Sequence, residues 1–144
     1  MVAYRKGPHA VYDIKYHLVW VTKYRYKVLK GDLALRMRDL IRNICEQHGM
    51  RIIKGHVSKD HVHLFVSAPP QLSVSEVMQY VKRKSSRRLQ EEYPSLRKRY
   101  WGWHLWARGY FCATTGTVTD EMIEAYLEKH ASEAEDNFTV ADGE

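Results

Sequence analysis

An α+β fold of the ferredoxin-like kind, an antiparallel sheet built in the order β-α-β-β-α-β with one more helix appended at the C-terminal side, is predicted by three features of the sequence. Two stretches carry apolar stripes at helical spacing behind helix-start signals. Between them lie two short runs of alternating residues joined by Ser58-Lys59-Asp60, which is the pattern of a hairpin. A third capped helical stretch follows Gly116. Helices packed on one face of an antiparallel sheet satisfy all three.

The first strand falls within Tyr12 to Tyr24, where Tyr16, Val19, Trp20, Val21 and Thr22 suit a pleated surface. Asp32 then stands where an N-cap is wanted, before Leu33, Met37, Leu40, Ile41, Ile44 and Cys45. Gly49 supplies the stop. The hairpin strands run over Arg51 to Val57 and His61 to Ala68, and Pro69-Pro70 forbids continuation. Ser73 with Glu76 makes a capping box for a second helix, expected to reach about Tyr93 before Pro94. A fourth strand is expected across Leu105 to Thr115. Thr119 caps the last helix, with Asp120 and Glu121 in its first turn.

At 144 residues one domain with a real core is the default. We assign residues 1–130 to that domain and residues 131–144 to an acidic flexible tail. The net charge is +6, yet five of the 17 acids fall in that tail, which has no Lys or Arg. The body is therefore more basic than the total implies, and a polyanion such as nucleic acid is the first partner to consider. No segment has the length of apolar residues that a membrane span or an export signal needs, so the expected location is the cytoplasm and no membrane partner is expected. Cys45 and Cys112 are far apart and outside metal-type spacing, and are read as buried free thiols.

The chemistry concentrates in His61-Val62-His63-Leu64-Phe65-Val66. Period-two geometry sends His61 and His63 to one face and Val62, Leu64 and Val66 to the other, so the sheet would bury the valines and present both imidazoles. Two such imidazoles can ligate one divalent ion, with Asp60 or a backbone carbonyl orienting a ring. On the last helix Tyr126 and His130 are four apart and share a face. The plainer readings are a half-exposed polar strand for the histidines and a core stripe for the helix. From Lys82 to Trp101 the basic residues Lys82, Arg83, Lys84, Arg87, Arg88, Arg97, Lys98 and Arg99 lead into Tyr100, Trp101, Trp103 and Trp106. Basic groups can track phosphates while aromatic faces stack on unpaired bases. Lys23, Arg25 and Lys27 are candidates for the same footprint.

These blocks in this order resemble the small single-tyrosine transposases of insertion sequences that move as single-stranded DNA, within the HUH (His-hydrophobe-His) endonuclease superfamily. The likeness runs from Tyr16-His17-Leu18-Val19-Trp20-Val21-Thr22-Lys23-Tyr24-Arg25 through Asp60-His61-Val62-His63-Leu64 to Leu105-Trp106 and Gly109-Tyr110-Phe111, with Tyr126 beyond. The resemblance implies that His61 and His63 are metal ligands for magnesium or manganese and that Tyr126 is the nucleophile. The family's third ligand is usually a glutamine one turn after the tyrosine, where this chain has His130. It further implies a 5′-phosphotyrosine intermediate, recognition of DNA hairpins at the element's ends, and a homodimer in which the tyrosine can act in cis or in trans.

Three other readings compete. Histidine-triad nucleotide hydrolases need a third histidine where Phe65 stands. A non-catalytic nucleic-acid binder would stack bases on strand aromatics where this chain offers His61 and His63. A replicative or domesticated HUH nickase would share the two histidines and the tyrosine.

Overall fold

The structure, a computed structural model, describes residues 4–114 and 138–141. The stretch expected to form an appended helix with Tyr126 and His130, its expected Thr119 cap, and most of the acidic tail lie outside those residues. The described elements are β1 (Arg5–Lys6), β2 (Val11–Tyr12), β3 (Lys15–Val21), α1 (Asp32–Gln47), β4 (Arg51–Val57), β5 (His61–Ser67), α2 (Val74–Glu92), the short α3 (Pro94–Arg97), β6 (Phe111–Thr114) and β7 (Phe138–Val140).

The main sheet has five strands in the order β6-β3-β5-β4-β7. Its first four are antiparallel and have the predicted ferredoxin-like order. The fifth pairs parallel to β4, so the sheet is mixed rather than purely antiparallel. Period-two alternation gives it two unlike faces. Leu18, Trp20, Val57, Val62, Leu64 and Val66 point to one side and join Met37, Leu40, Ile41, Val77, Val81 and Leu89 of α1 and α2 in a single core. Each such side chain, fully buried, contributes about 1.5–3 kcal/mol. The histidines point to the other side.

Local chemistry decides where the elements differ from expectation. Gly31, not Asp32, caps α1: with φ 56° it takes a backbone that L residues avoid, and Asp32 sits in the first turn instead. The capping box of α2 forms as predicted, Ser73 Oγ accepting from the Glu76 N–H and Glu76 from the Ser73 N–H. The fourth strand is shorter than expected and begins at Phe111. Lys82 Nζ donates to the carbonyls of Ala107 and Gly109, each at 2.9 Å. Those carbonyls are thus turned to a helix side chain, and the left-handed Gly109 (φ 80°) bends the chain before the strand can start. Only Trp106 makes an isolated bridge, to Thr22. Cys112 is half-buried, whereas Cys45 is buried as expected.

Within the stretch read as a tail, Phe138–Val140 forms β7. Phe138 is 5% exposed and lies over Gly55, where an added Cβ would come within 2.6 Å of its ring. Arg42 stacks on the same ring at 5.6 Å. Acidic composition concealed an apolar, β-branched triad that fits a pocket left by a glycine. The small β1–β2 hairpin, also unforeseen, is anchored by Arg5, which donates to Gly49 O at 2.9 Å and Ser67 O at 3.1 Å.

Candidate active site and nucleic-acid surface

Strand register builds the candidate active site. His63 lies opposite Val19 on β3 and opposite His56 on β4, while His17 on β3 lies opposite Phe65. One sheet face therefore gathers His17, His56, His61 and His63. His17 Nδ1 approaches His63 Nε2 to 3.4 Å, and the His17 ring stacks on Phe65 with centroids 4.0 Å apart. His56 Nδ1 meets Thr139 Oγ1, so β7 also touches this face. Sequence reasoning gave His17 and His56 no role, although the alternation in β3 and β4 places both on the histidine side.

His61 is not presented to solvent as expected: it is 1% exposed. A buried imidazole needs partners for its ring nitrogens, and Asp60 supplies one, with Oδ1 at 2.9 Å from His61 Nδ1. The other Asp60 oxygen accepts from Arg25 at 2.9 Å. Burial opposes ionisation of Asp60, but His61 and Arg25 outweigh it and hold the carboxyl below its ordinary range. An ionised carboxylate can only accept, so Nδ1 of His61 is the donor of this pair and Nε2 is the ring nitrogen left for another partner. Arg25, expected among the DNA contacts, instead holds Asp60.

The loop that delivers Arg25 is strained. Tyr24 (φ 61°) and Arg25 (φ 54°) are both left-handed, a conformation costing about 1–2 kcal/mol for each L residue. It is held by Thr22, whose hydroxyl donates to Tyr26 O at 2.8 Å and whose N–H donates to Asp60 O at 2.9 Å.

Burial, with His17, His61, His56 and Lys54 adding to it, pushes the His63 imidazole down to about 4. Burial also lowers His17. His63 is therefore neutral near pH 7, the form in which a histidine ligates a metal. The donor set fits a divalent ion in part: His63 offers a neutral imidazole, and His61 the ring nitrogen that Asp60 does not engage. Among the described residues no three His, Cys, Asp or Glu side chains come together as a metal-holding group, and the expected third ligand, His130, lies outside them.

The basic residues predicted to bind DNA divide. Arg83 and Arg87 line a groove of about 740 Å³ between α2 and residues 102–110. Arg87 and Arg97 both lie over the Trp103 ring, at 4.8 and 4.1 Å. Arg99 lies over Tyr26 at 4.5 Å and, with Lys27 and Lys30, lines a smaller hollow. Lys84 is turned the other way, 3.0 Å from His48 Nε2. Arg88 and Lys98 are exposed. Lys82 is half-buried on the two carbonyls that shape the 107–109 bend.

Residues 10–130 match the family model described as "Transposase IS200 like". The chain belongs to the IS200-like transposase family. This transposase is 39% identical over 124 residues to the ISDra2 transposase TnpA of Deinococcus radiodurans, covering 86% of this chain and 89% of that relative. It is 35% identical over 125 residues to the transposase for insertion sequence element IS200 of Salmonella typhimurium, covering 87% and 81%. A crystal structure of a D. radiodurans R1 protein described as a transposase superimposes with a TM-score of 0.79 at 36% identity, over 89% of this chain and 99% of that one. The REP-associated tyrosine transposase bound to a REP hairpin shares the fold, with a TM-score of 0.56 at 14% identity over 90% of this transposase and 74% of that chain. No helix among the described residues is long and apolar enough to cross a membrane.

Proposed function

We propose that the chain cleaves and rejoins single-stranded DNA at the ends of an insertion sequence through a 5′-phosphotyrosine on Tyr126, with a magnesium or manganese ion held by His61, His63 and His130. The observation that carries this reading is the Asp60–His61 pair. It fixes one imidazole through Nδ1 and leaves Nε2 for another partner, on the same sheet face as a neutral His63, in a chain of the transposase family. The family membership and the donor chemistry support the reading together.

When bound, the cation supplies positive charge that polarises the scissile phosphate and eases loss of the phenolic proton. A free phenol has a pKa of about 10, so Tyr126 must be helped to lose that proton to react near neutrality. Its oxygen then attacks phosphorus in line and displaces the 3′ oxygen, which takes up a proton and leaves as a free hydroxyl. The 5′ side remains on Tyr126. A second 3′-hydroxyl attacks the phosphotyrosine, restores a phosphodiester and releases the phenol, so no nucleotide cofactor is required. Arg83, Lys84, Arg87, Arg88, Arg97, Lys98 and Arg99 serve as phosphate contacts for hairpin DNA, in keeping with the hairpin bound to the REP-associated relative. The working unit is a homodimer in which Tyr126 of one copy can complete the histidine site of the other.

Denaturing electrophoresis with labelled single-stranded oligonucleotides from the element's ends, with and without magnesium or manganese, tests the reading. A metal-dependent covalent adduct that disappears in Tyr126→Phe, with DNA binding kept, is the expected result. An adduct that persists in Tyr126→Phe moves the nucleophile elsewhere. Hairpin binding without cleavage under any metal would replace this reading with that of a non-catalytic binder.

A further inference from the structure

We propose that the groove between α2 and residues 102–110 seats one unpaired nucleotide of the DNA strand, apart from the histidine face; this rests on the single-stranded DNA reading above.

The groove is preformed. Ser86 Oγ donates to Trp103 O at 2.5 Å and accepts from the Leu105 N–H at 3.2 Å. Ser85 Oγ accepts from the Trp106 indole N–H at 3.1 Å. With the two Lys82 bonds, these tie the helix to the opposite wall at both ends, so little ordering remains to be done on binding. Left-handed Gly102 (φ 66°), Trp103 (φ 64°) and Gly109 (φ 80°) bend the chain at either end of the wall.

Among the described residues its lining contains four cations, Lys82, Arg83, Arg87 and Arg108, and no carboxylate, although Glu91, outside the lining, lies 3.5 Å from Arg87. Lys82 has three N–H donors, of which two go to Ala107 and Gly109. The third meets no acceptor among the described residues. A half-buried ammonium balanced only by carbonyl dipoles favours an incoming anion, and its lowered pKa reflects the burial. The same lining brings the flat rings of His104 and Tyr110 to one cleft, beside a Trp103 ring over which Arg87 and Arg97 already lie.

Charge and rings together select the occupant. A paired stem keeps its base faces stacked inside the duplex and offers only phosphates, which would leave the rings unused. A basic peptide is repelled. An unpaired nucleotide supplies both a phosphate for the cations and a base face for the aromatic wall. The lining shares no residue with the histidine face, so a base held here anchors the strand without entering the chemistry.

The test uses the full chain with two probes, a short oligodeoxythymidylate bearing one 5-iodouracil and a blunt, fully paired hairpin. Irradiation followed by mass spectrometry is expected to place the crosslink on the peptide spanning residues 101–110. Tyr110→Ala and His104→Ala are each expected to weaken the single-stranded probe by about tenfold, the usual scale of a lost stacking partner, with the hairpin much less affected. Tyr110→Phe, which keeps the ring, is expected to retain affinity. A crosslink confined to other peptides, or equal loss for both probes, overturns the proposal. If the Tyr126 adduct still forms while crosslinks avoid the groove, the groove proposal fails and the transposase reading stands. A groove crosslink without any adduct in the unmodified protein upholds the groove and removes the chemistry.

Discussion

Asp60 Oδ1 lies 2.9 Å from His61 Nδ1, and both side chains are buried, at 3% and 1% exposure. Adjacent residues of one chain thus form a fixed donor–acceptor pair whose geometry is set by the hairpin turn, not by a distant element. The pair ties the ring's tautomer to the charge of the carboxylate.

Asp60→Ala removes the acceptor that fixes the His61 tautomer. Under the proposed metal role we expect manganese affinity to fall by about 10- to 100-fold, the usual effect of losing a ligand's hydrogen-bond partner. Titration calorimetry on the DNA-free protein measures it, and unchanged affinity would show that His61 is oriented by other means.

Arg25→Ala leaves Asp60, a buried carboxylate, without its guanidinium. The expected loss of stability is about 1–3 kcal/mol, because the arginine side chain is 33% exposed and water can replace part of its interaction. Urea unfolding would read this as a lower midpoint at unchanged slope. No shift would place the weight of the loop on Thr22 instead.

Acid should destabilise the metal-free protein through His63. Its native pKa, about 4, lies below the ordinary imidazole value of 6.5. Between those values the unfolded chain binds a proton that the native state refuses, so stability is full above about 6.5 and falls as pH drops toward 4, then levels. The loss from this group is at most about 3 kcal/mol. Asp60, whose carboxyl is held low, adds a further loss in stronger acid. Urea midpoints with a chelator present, near neutral pH and near pH 4, should differ less in His63→Gln than in the unmodified chain.

Gly55→Ala should push a methyl group into the Phe138 ring, 2.6 Å from the position a Cβ would take. The ring must move, and overpacking of this kind costs about 1–3 kcal/mol. Hydrogen exchange should speed up at Ala141, whose N–H donates to Val57 O, while the β3–β5 amides keep their protection. Unchanged exchange at Ala141 would mean that Phe138 adjusts without loosening β7.

The four-stranded order and the two long helices α1 and α2 were legible because their signals are local: alternation in Arg51 to Val57 and His61 to Ser67, the capping box at Ser73 and Glu76, and apolar spacing in α1. Asp60 was legible as one of two groups that could orient a ring, the other being a backbone carbonyl; its bond to His61 forms because Asp60 lies in the turn before β5. His17 and His56 were not, because their nearness to His63 depends on strand register, which no single segment declares. The bond from Arg25 to Asp60 was not legible, because two consecutive left-handed residues, which nothing in Lys23-Tyr24-Arg25 announces, turn it toward Asp60. The grip of Lys82 on the carbonyls of Ala107 and Gly109 was not legible, because a lysine that holds carbonyls reads in sequence like any other cation. Phe138–Val140 was hidden by the acids around it and depended on a glycine far upstream.

That last dependence bears on how the molecule is made. His56 and Thr139 are 83 residues apart, so during synthesis from the N-terminal end β3, α1, β4, β5, α2 and β6 are all available before β7 has left the ribosome. The four antiparallel strands can assemble first, leaving the outer edge of β4 with unpaired backbone groups, as any exposed strand edge has. Nascent chains therefore pass through an interval in which that edge is open to other strands. Its closure comes with the last of the described elements to be translated, which makes the emergence of β7, and not collapse of the core, the step that covers this edge.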